Sequence, residues 1–455
     1  MSKLSESLFS VIENRISPIA AKLSSQRHVV AIKDGFIASM PFLIVGSFMM
    51  LFAHPPFSPN SEWAFAQWWL GMVERHGEQI MMPYNMTMGI MAVYITSAIA
   101  YNLAQSYKMN GFMAASLALM SFMVVAAPQV DKSLPVGSLG GEGIFTAIIV
   151  AIYSTELMHF LQKRNIGIRL PEQVPPKIRQ SFDLLIPILA IFLTLFPLSL
   201  FMQSQFGMLL PQAIMAVFAP IISASDSLPA ILIAVLLCHL LWFAGIHGAV
   251  IVGGILQAFW LTNLGINQEA FNAGAPITKI FIEPFWQFFI TVGGSGATMG
   301  LVFLYLRSRS AHLRSIGKLA VVPSMFNINE PVIFGSPVVM NPLLFIPFIT
   351  APLVNATLAY IALKTDLVHR VISLAPWTTP GPIGAAWSTG WDWRAVVLVG
   401  VLIVVSSLIY YPFFKMYERQ LVAQEVGTAE EAVTCLLYTS PSPRDWRSSR
   451  MPSSA

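Results

Sequence analysis

Phe326-Asn327-Ile328-Asn329-Glu330-Pro331-Val332-Ile333-Phe334-Gly335 decides how the rest of the chain is read. It sets an ionisable carboxylate between two apolar runs, Leu319 to Phe326 and Leu343 to Leu363. An acid at membrane depth costs several kcal/mol unless it faces protein or a water-filled cavity. Pro323, Pro331 and Gly335 interrupt helix on either side of it. Broken backbone at that depth is tolerated only where it is buried in protein or lines a cavity. Glu330 is therefore a candidate binding or catalytic group in a transport pathway.

Composition supports a membrane setting. Of 455 residues, 55% are hydrophobic and 11% charged, where a soluble domain carries roughly 25% charged residues. The chain reads as an all-α polytopic membrane protein. A net charge of +4 is no signature of a nucleic-acid partner, and none is expected. Residues 1–28 are polar and mixed in charge, without the compact apolar core of a cleavable signal peptide. Cys238 sits in an apolar segment and reads as a small buried hydrophobe. Neither it nor Cys435 belongs to a metal-like spacing, so no disulfide framework, metal or cofactor is expected.

A spanning helix needs about 20 apolar residues. Runs of that kind are Ala31 to Phe52, Ile80 to Ala104, Phe112 to Ala127, Gly143 to Leu161, Phe182 to Phe201, Leu228 to Gly245, Phe281 to Leu306, Leu343 to Leu363 and Ala395 to Phe414. His247 to Leu264 and Leu319 to Met340 are apolar but interrupted, and read as re-entrant or broken segments. Leu209 to Ser223 is short, either interfacial or a tenth span. Basic residues cluster at Lys163–Arg179, Arg307–Lys318 and Lys415–Arg419, and in the N-terminal segment. The positive-inside rule places these, with both termini, in the cytoplasm. His54 to Glu78, with Glu62, Glu74 and Glu78 against Arg75, falls outside. The native-looking chain ends near Glu431. Residues 433–455, rich in Ser, Pro and Arg, read as out-of-frame or adapter-derived translation, with a disordered tail as the alternative.

Three further motifs offer chemistry. Trp242-Phe243-Ala244-Gly245-Ile246-His247-Gly248 ends an apolar helix with a histidine between glycines. Glycine lets backbone approach a ligand, and the imidazole both donates and accepts. A core histidine bonded to a carbonyl is the plainer reading. Val292-Gly293-Gly294-Ser295-Gly296-Ala297-Thr298 lacks the lysine of a phosphate loop. Helix packing through small residues is its expected role, and backbone contact with a sugar through Gly294 and Ser295 the alternative. In Ala375-Pro376-Trp377-Thr378-Thr379-Pro380, Trp377 is either a platform for a pyranose ring or part of an interfacial belt. Asn85, opening the second span, suits hydroxyl recognition or a helix bridge. Glu156 and His159 read as a structural pair on one helix face, and Glu283 as an interfacial acid.

Taken in order, Gly245–Gly248 (GIHG), Gly293–Thr298 (GGSGAT), Asn327–Gly335 (NINEPVIFG), Met340–Pro342 (MNP) and Ala375–Thr378 (APWT) resemble the membrane IIC component of the phosphoenolpyruvate-dependent sugar phosphotransferase system. The likeness is to its lactose, cellobiose and diacetylchitobiose family, over residues 10–425. That resemblance implies an elevator-type homodimer with about ten transmembrane helices and two re-entrant hairpins in the inner membrane. It divides the chain into a cytoplasmic segment (1–28), a scaffold or dimerisation domain (29–215), a substrate-binding transport domain (216–390) and a last helix with its cytoplasmic end (391–432). It maps catalytic roles onto Glu330 and His247, around the sugar 6-hydroxyl. Asn329, Trp242, Trp377 and Asn85 match sugar contacts, with Gly248, Gly294 and Ser295 beside them. The phosphoryl group would come from a phosphocysteine on a separate IIB protein fed by a IIA protein. Cellobiose is the first substrate choice and diacetylchitobiose the second; lactose, aryl-β-glucosides and β-mannosides stay open. The competing readings are a proton-coupled symporter using Glu330 and His247, and a sugar sensor without net transport.

Overall fold

The computed structural model describes residues 25–129, 132–168, 184–243, 245–338 and 341–439, with Pro18, Lys22, Gln173 and Phe182. Most of the 1–28 segment, the basic residues Arg169, Lys177 and Arg179, Ala244, Met340, and residues 440–455 lie outside them. The described residues are helical and contain no β-strand. Among the described residues, six helices are long and apolar enough to cross a membrane, or up to eight spans if each of two bent helix pairs counts as one.

The N-terminal half is built around α3 (Met91–Ser106). It packs against α1 (Arg27–Ala53), α4 (Gly111–Ala126) and α5 (Ile144–Lys163). Side-chain caps start two of these helices. Gln26 Oε1 accepts from Val29 N at 2.8 Å, and Asn110 Oδ1 from Met113 N at 3.2 Å, each satisfying a donor the helix leaves unpaired. α2 (Ala64–Asn85) precedes α3, and α6 (Leu185–Phe206) follows α5 and ends at Gly207 with φ +64°. α7 (Leu210–Ser225) meets α8 (Leu228–Phe243) at a 76° bend.

The C-terminal half contains α9 (Gly248–Asn272), α10 (Met299–Leu306), α11 (Ala311–Met325), α12 (Glu330–Gly335), α13 (Pro342–Lys364), α14 (Gly381–Ser388) and α15 (Trp393–Thr439). α13 lies against α8 and α15, and α10 lies between α11 and α15.

Several expectations need correction. The run from Ile80 to Ala104 is not one straight helix. It breaks at Met86–Thr87 with a 41° bend, and much of the expected outer loop from His54 to Glu78 is helix α2. The segment from His247 to Leu264, expected to be re-entrant or broken, lies within the continuous 25-residue α9. Gly265 on α9 does not break it. A Cβ on Gly141 would stand 2.8 Å from the Gly265 Cα, so the glycine admits a neighbouring backbone.

Phe281 to Leu306, expected as one span, is broken. A helical turn at Glu283–Phe285 runs into a π-turn at Trp286–Ile290, then an irregular loop, before α10 begins. α15 runs on from the last apolar run to Thr439.

Glu283 is buried rather than interfacial and accepts from Gln257 Nε2 at 2.9 Å. Glu156 pairs not with His159 but with His28 Nε2 at 2.8 Å and Tyr107 OH at 2.5 Å, while the His159 ring stacks on Tyr107. Cys238 is buried and unpaired as a thiol, as expected.

Candidate functional site

Glu330 is the first residue of the six-residue α12, and its side chain is exposed. Two asparagines hold the backbone that precedes it. Asn327, buried and at φ +62°, accepts from Gly293 N through Oδ1 at 3.1 Å. Its Nδ2 donates to the carbonyls of Trp377 at 2.8 Å and Thr379 at 3.1 Å. Asn329, also buried, donates from Nδ2 to Ser295 O at 2.6 Å and to Thr298 Oγ1 at 2.8 Å. The NINEP, GGSGAT and APWT segments are thus tied into one unit by two amide side chains. Each bond satisfies a polar group in a region where water competes little.

The glycine loop is a tight irregular turn, not the helix-packing face expected of it. Gly293, Gly294 and Gly296 all have positive φ, at +79°, +102° and +83°. A Cβ on Gly294 would lie 2.4 Å from the Asn329 Cγ, so the asparagine occupies the space a larger residue would need.

The opposite wall comes from α8 and the start of α9. His247 is exposed and caps α9, its Nδ1 accepting from Val250 N at 3.4 Å. A ring nitrogen that accepts leaves the proton on the other, so Nε2–H is directed away from the cap. The Trp242 ring lies 4.3 Å from the His247 ring, centroid to centroid. The Trp242 side chain is buried, and no described residue accepts from its Nε1–H. Gly248 is needed for the close approach of α9 to α8, because a Cβ there would overlap the Cys238 carbonyl oxygen. The Glu330 carboxylate is within Coulombic range of the His247 ring. Trp377 is 47% exposed, with its carbonyl held by Asn327.

One residue was missed from the sequence. His239 is fully buried on α8, donates from Nδ1 to Val235 O at 2.7 Å, and accepts at Nε2 from Gly296 N at 2.9 Å. It bolts the glycine loop to α8 as a neutral imidazole. Tyr410 OH fixes the same loop from α15, donating to Gly296 O at 2.8 Å. A histidine four residues inside an apolar helix carries no sequence signal that separates this role from plain burial. Asn85 is not brought to this cluster. Its neighbour Tyr84 bonds Asn272, at the end of α9 remote from His247, and a helix of 25 residues is about 37 Å long. Among the described residues, no group of three or more His, Cys, Asp or Glu is placed to hold a metal.

This arrangement offers a carboxylate, an imidazole N–H, an indole N–H and an exposed indole face around a glycine-lined break in helix. Such a set suits recognition of a polyhydroxylated ring. Comparison with known proteins agrees. The family model for the phosphotransferase system EIIC component matches residues 33–352. The lichenan permease IIC component of Bacillus subtilis (strain 168) is 35% identical over 91% of this chain and 94% of its own length. The cellobiose-specific EIIC component of Geobacillus stearothermophilus is 36% identical over 91% of this chain and 95% of its own. The crystal structure of ChbC, the IIC component of the N,N'-diacetylchitobiose-specific phosphotransferase system, superposes with a TM-score of 0.86 at 34% identity, covering 91% of this chain and 99% of that one. The chain is a multi-pass membrane protein and belongs to the EIIC family of sugar permeases of the phosphotransferase system.

Proposed function

We propose that the chain carries a β-linked disaccharide, cellobiose first and N,N'-diacetylchitobiose second, and presents its 6-hydroxyl for phosphorylation. The observation that carries this reading is that Glu330 and His247 lie within Coulombic range of each other beside the broken helix, with both side chains exposed. Glu330 takes the O6 proton as the O6–P bond forms and the S–P bond to a donor cysteine breaks. The thiolate leaves with the donor. His247 donates from Nε2 to the same oxygen and orients it. A sugar hydroxyl is a weak nucleophile, and a base in hydrogen-bond reach accelerates its attack by about 10²–10⁴-fold. Trp377 provides a stacking face, and Trp242 Nε1 has a hydrogen bond to give. Relatives specific for cellobiose and for N,N'-diacetylchitobiose support the choice of these two sugars.

In the same reading, residues 29–215 form the scaffold of a homodimer and residues 216–390 the moving transport domain of an elevator. The ten spans and two hairpins are completed by the broken segments around Gly293–Thr298 and Asn327–Glu330. Both termini are cytoplasmic, which places the basic connections on the side of the IIA and IIB proteins. Glu330→Gln is the test. Disaccharide affinity stays within about threefold, while phosphorylation falls by about 10²-fold or more. Normal phosphorylation in that variant removes Glu330 from the role of base.

A further inference from the structure

We propose that the α10–α11 connection, Arg307–Ser310, and the first turns of α11 form the docking surface for the phosphoryl-donor protein. Its basic side chains would hold the donor's phosphorylated cysteine face over Glu330. The proposal rests on the functional reading above and adds to it the place where the partner sits.

The connection is fastened from beneath. Glu418 on α15 is buried and accepts from Ser308 Oγ at 2.7 Å, Arg309 N at 2.7 Å and Lys415 Nζ at 2.7 Å. Glu425, two turns on, accepts from Ser310 Oγ at 2.5 Å, Ala311 N at 3.0 Å and His312 N at 3.1 Å. Charge-assisted bonds of this kind are stronger than neutral ones, so a short polar loop becomes a fixed platform. The Arg314 guanidinium closes it from the other side, donating to Ser308 O from Nε at 3.0 Å and Nη2 at 2.7 Å.

This fastening sets the charge of the outer face. Both carboxylates accept from backbone N–H groups and serine hydroxyls of the connection, and Glu418 also from Lys415. The side chains of Arg307, Arg309, Arg314 and Lys318 are exposed, and no ion pair among the described residues engages them. Exposed guanidinium groups on a fixed backbone match a phosphoryl group carrying nearly two negative charges, through paired N–H donors.

The platform also stands close to the reacting group. His312 Nε2 bonds the Gly335 carbonyl at 3.2 Å, and Gly335 ends the helix that Glu330 begins. Six residues of helix span about 9 Å. The start of α11, which the platform leads into, thus touches the far end of the short helix that carries Glu330. The transfer is the one given above: S–P breaks, O6–P forms, the proton passes to Glu330, and the thiolate stays on the donor.

The experiment uses the full chain in proteoliposomes and, as probe, a purified cellobiose-type IIB protein phosphorylated on its cysteine through IIA. Arg307→Glu with Arg309→Glu raises KM for the phosphorylated probe by about tenfold or more, because surface charges act on encounter. Its kcat stays within about threefold, disaccharide binding is unchanged, and the dependence of KM on salt flattens. Arg307→Gln with Arg309→Gln moves KM the same way by less, and decides the matter if the reversed pair does not fold. Unchanged KM and salt dependence with intact sugar binding overturn the proposal. Failure of the functional reading shows separately, as full phosphorylation in Glu330→Gln with the arginine effect still present.

Discussion

Replacing Gly294 with alanine tests how tightly the glycine loop governs Glu330. The new Cβ would stand 2.4 Å from Asn329 Cγ and 2.6 Å from its Oδ1, where ordinary contact begins near 3.4 Å. The asparagine must therefore retreat by about 1 Å, the shortfall against ordinary van der Waals separation. Asn329 immediately precedes Glu330 and is held by the loop through its bonds to Ser295 and Thr298. A shift there reaches the carboxylate almost undiminished. Misplacement of a reacting group by about 1 Å costs on the order of 10²-fold in rate.

The assay is phosphorylation of labelled cellobiose by the complete phosphotransferase system, with kcat/KM as readout. A fall of about 10²-fold is expected. Gly274→Ala is the control: Gly274 also has positive φ, +65°, but its Cβ meets nothing within 4 Å. It carries the conformational cost of about 1–2 kcal/mol without the collision, and activity stays within about threefold because no group of the site moves. Activity of Gly294→Ala within twofold of the parent would refute the reasoning, as would an equal loss in both variants.

Two further predictions concern the scaffold of the site. His239→Leu leaves the buried Gly296 N–H without an acceptor, at a cost of about 1–3 kcal/mol. The thermal midpoint in detergent should fall, and less so for His239→Gln, which can still accept; equal midpoints would argue against the bridge. Asp392 accepts from His369 N at 2.9 Å and from Arg394 N at 3.0 Å and Nε at 2.9 Å, where α15 begins. Asp392→Ala should cost about 1–2 kcal/mol, as loss of a helix cap does; a thermal midpoint equal to the parent's would contradict that.

The break around Glu330 was legible because an acid, two prolines and a glycine in an apolar run leave little choice. The family followed from the order of five short motifs. The break at Phe281–Leu306 was not legible, because its hydropathy is that of a span. What stops the helix there is three glycines at positive φ, and their conformation depends on Asn327, Asn329 and His239, distant in sequence. The reverse error occurred at α9, which was expected to be re-entrant or broken. There Gly265 and Gly141 meet backbone to backbone, and helix continuity costs less than a break with unpaired amides. His239 was silent for a related reason: a buried histidine is defined by its partner across the fold, not by its neighbours in the chain.

The most direct measurement is uptake of labelled cellobiose into vesicles containing this chain, with and without phosphoenolpyruvate and the cytoplasmic phosphotransferase proteins. The account predicts accumulation of cellobiose 6-phosphate in the complete system only. Accumulation of unmodified cellobiose driven by a proton gradient, independent of phosphoenolpyruvate, would contradict it.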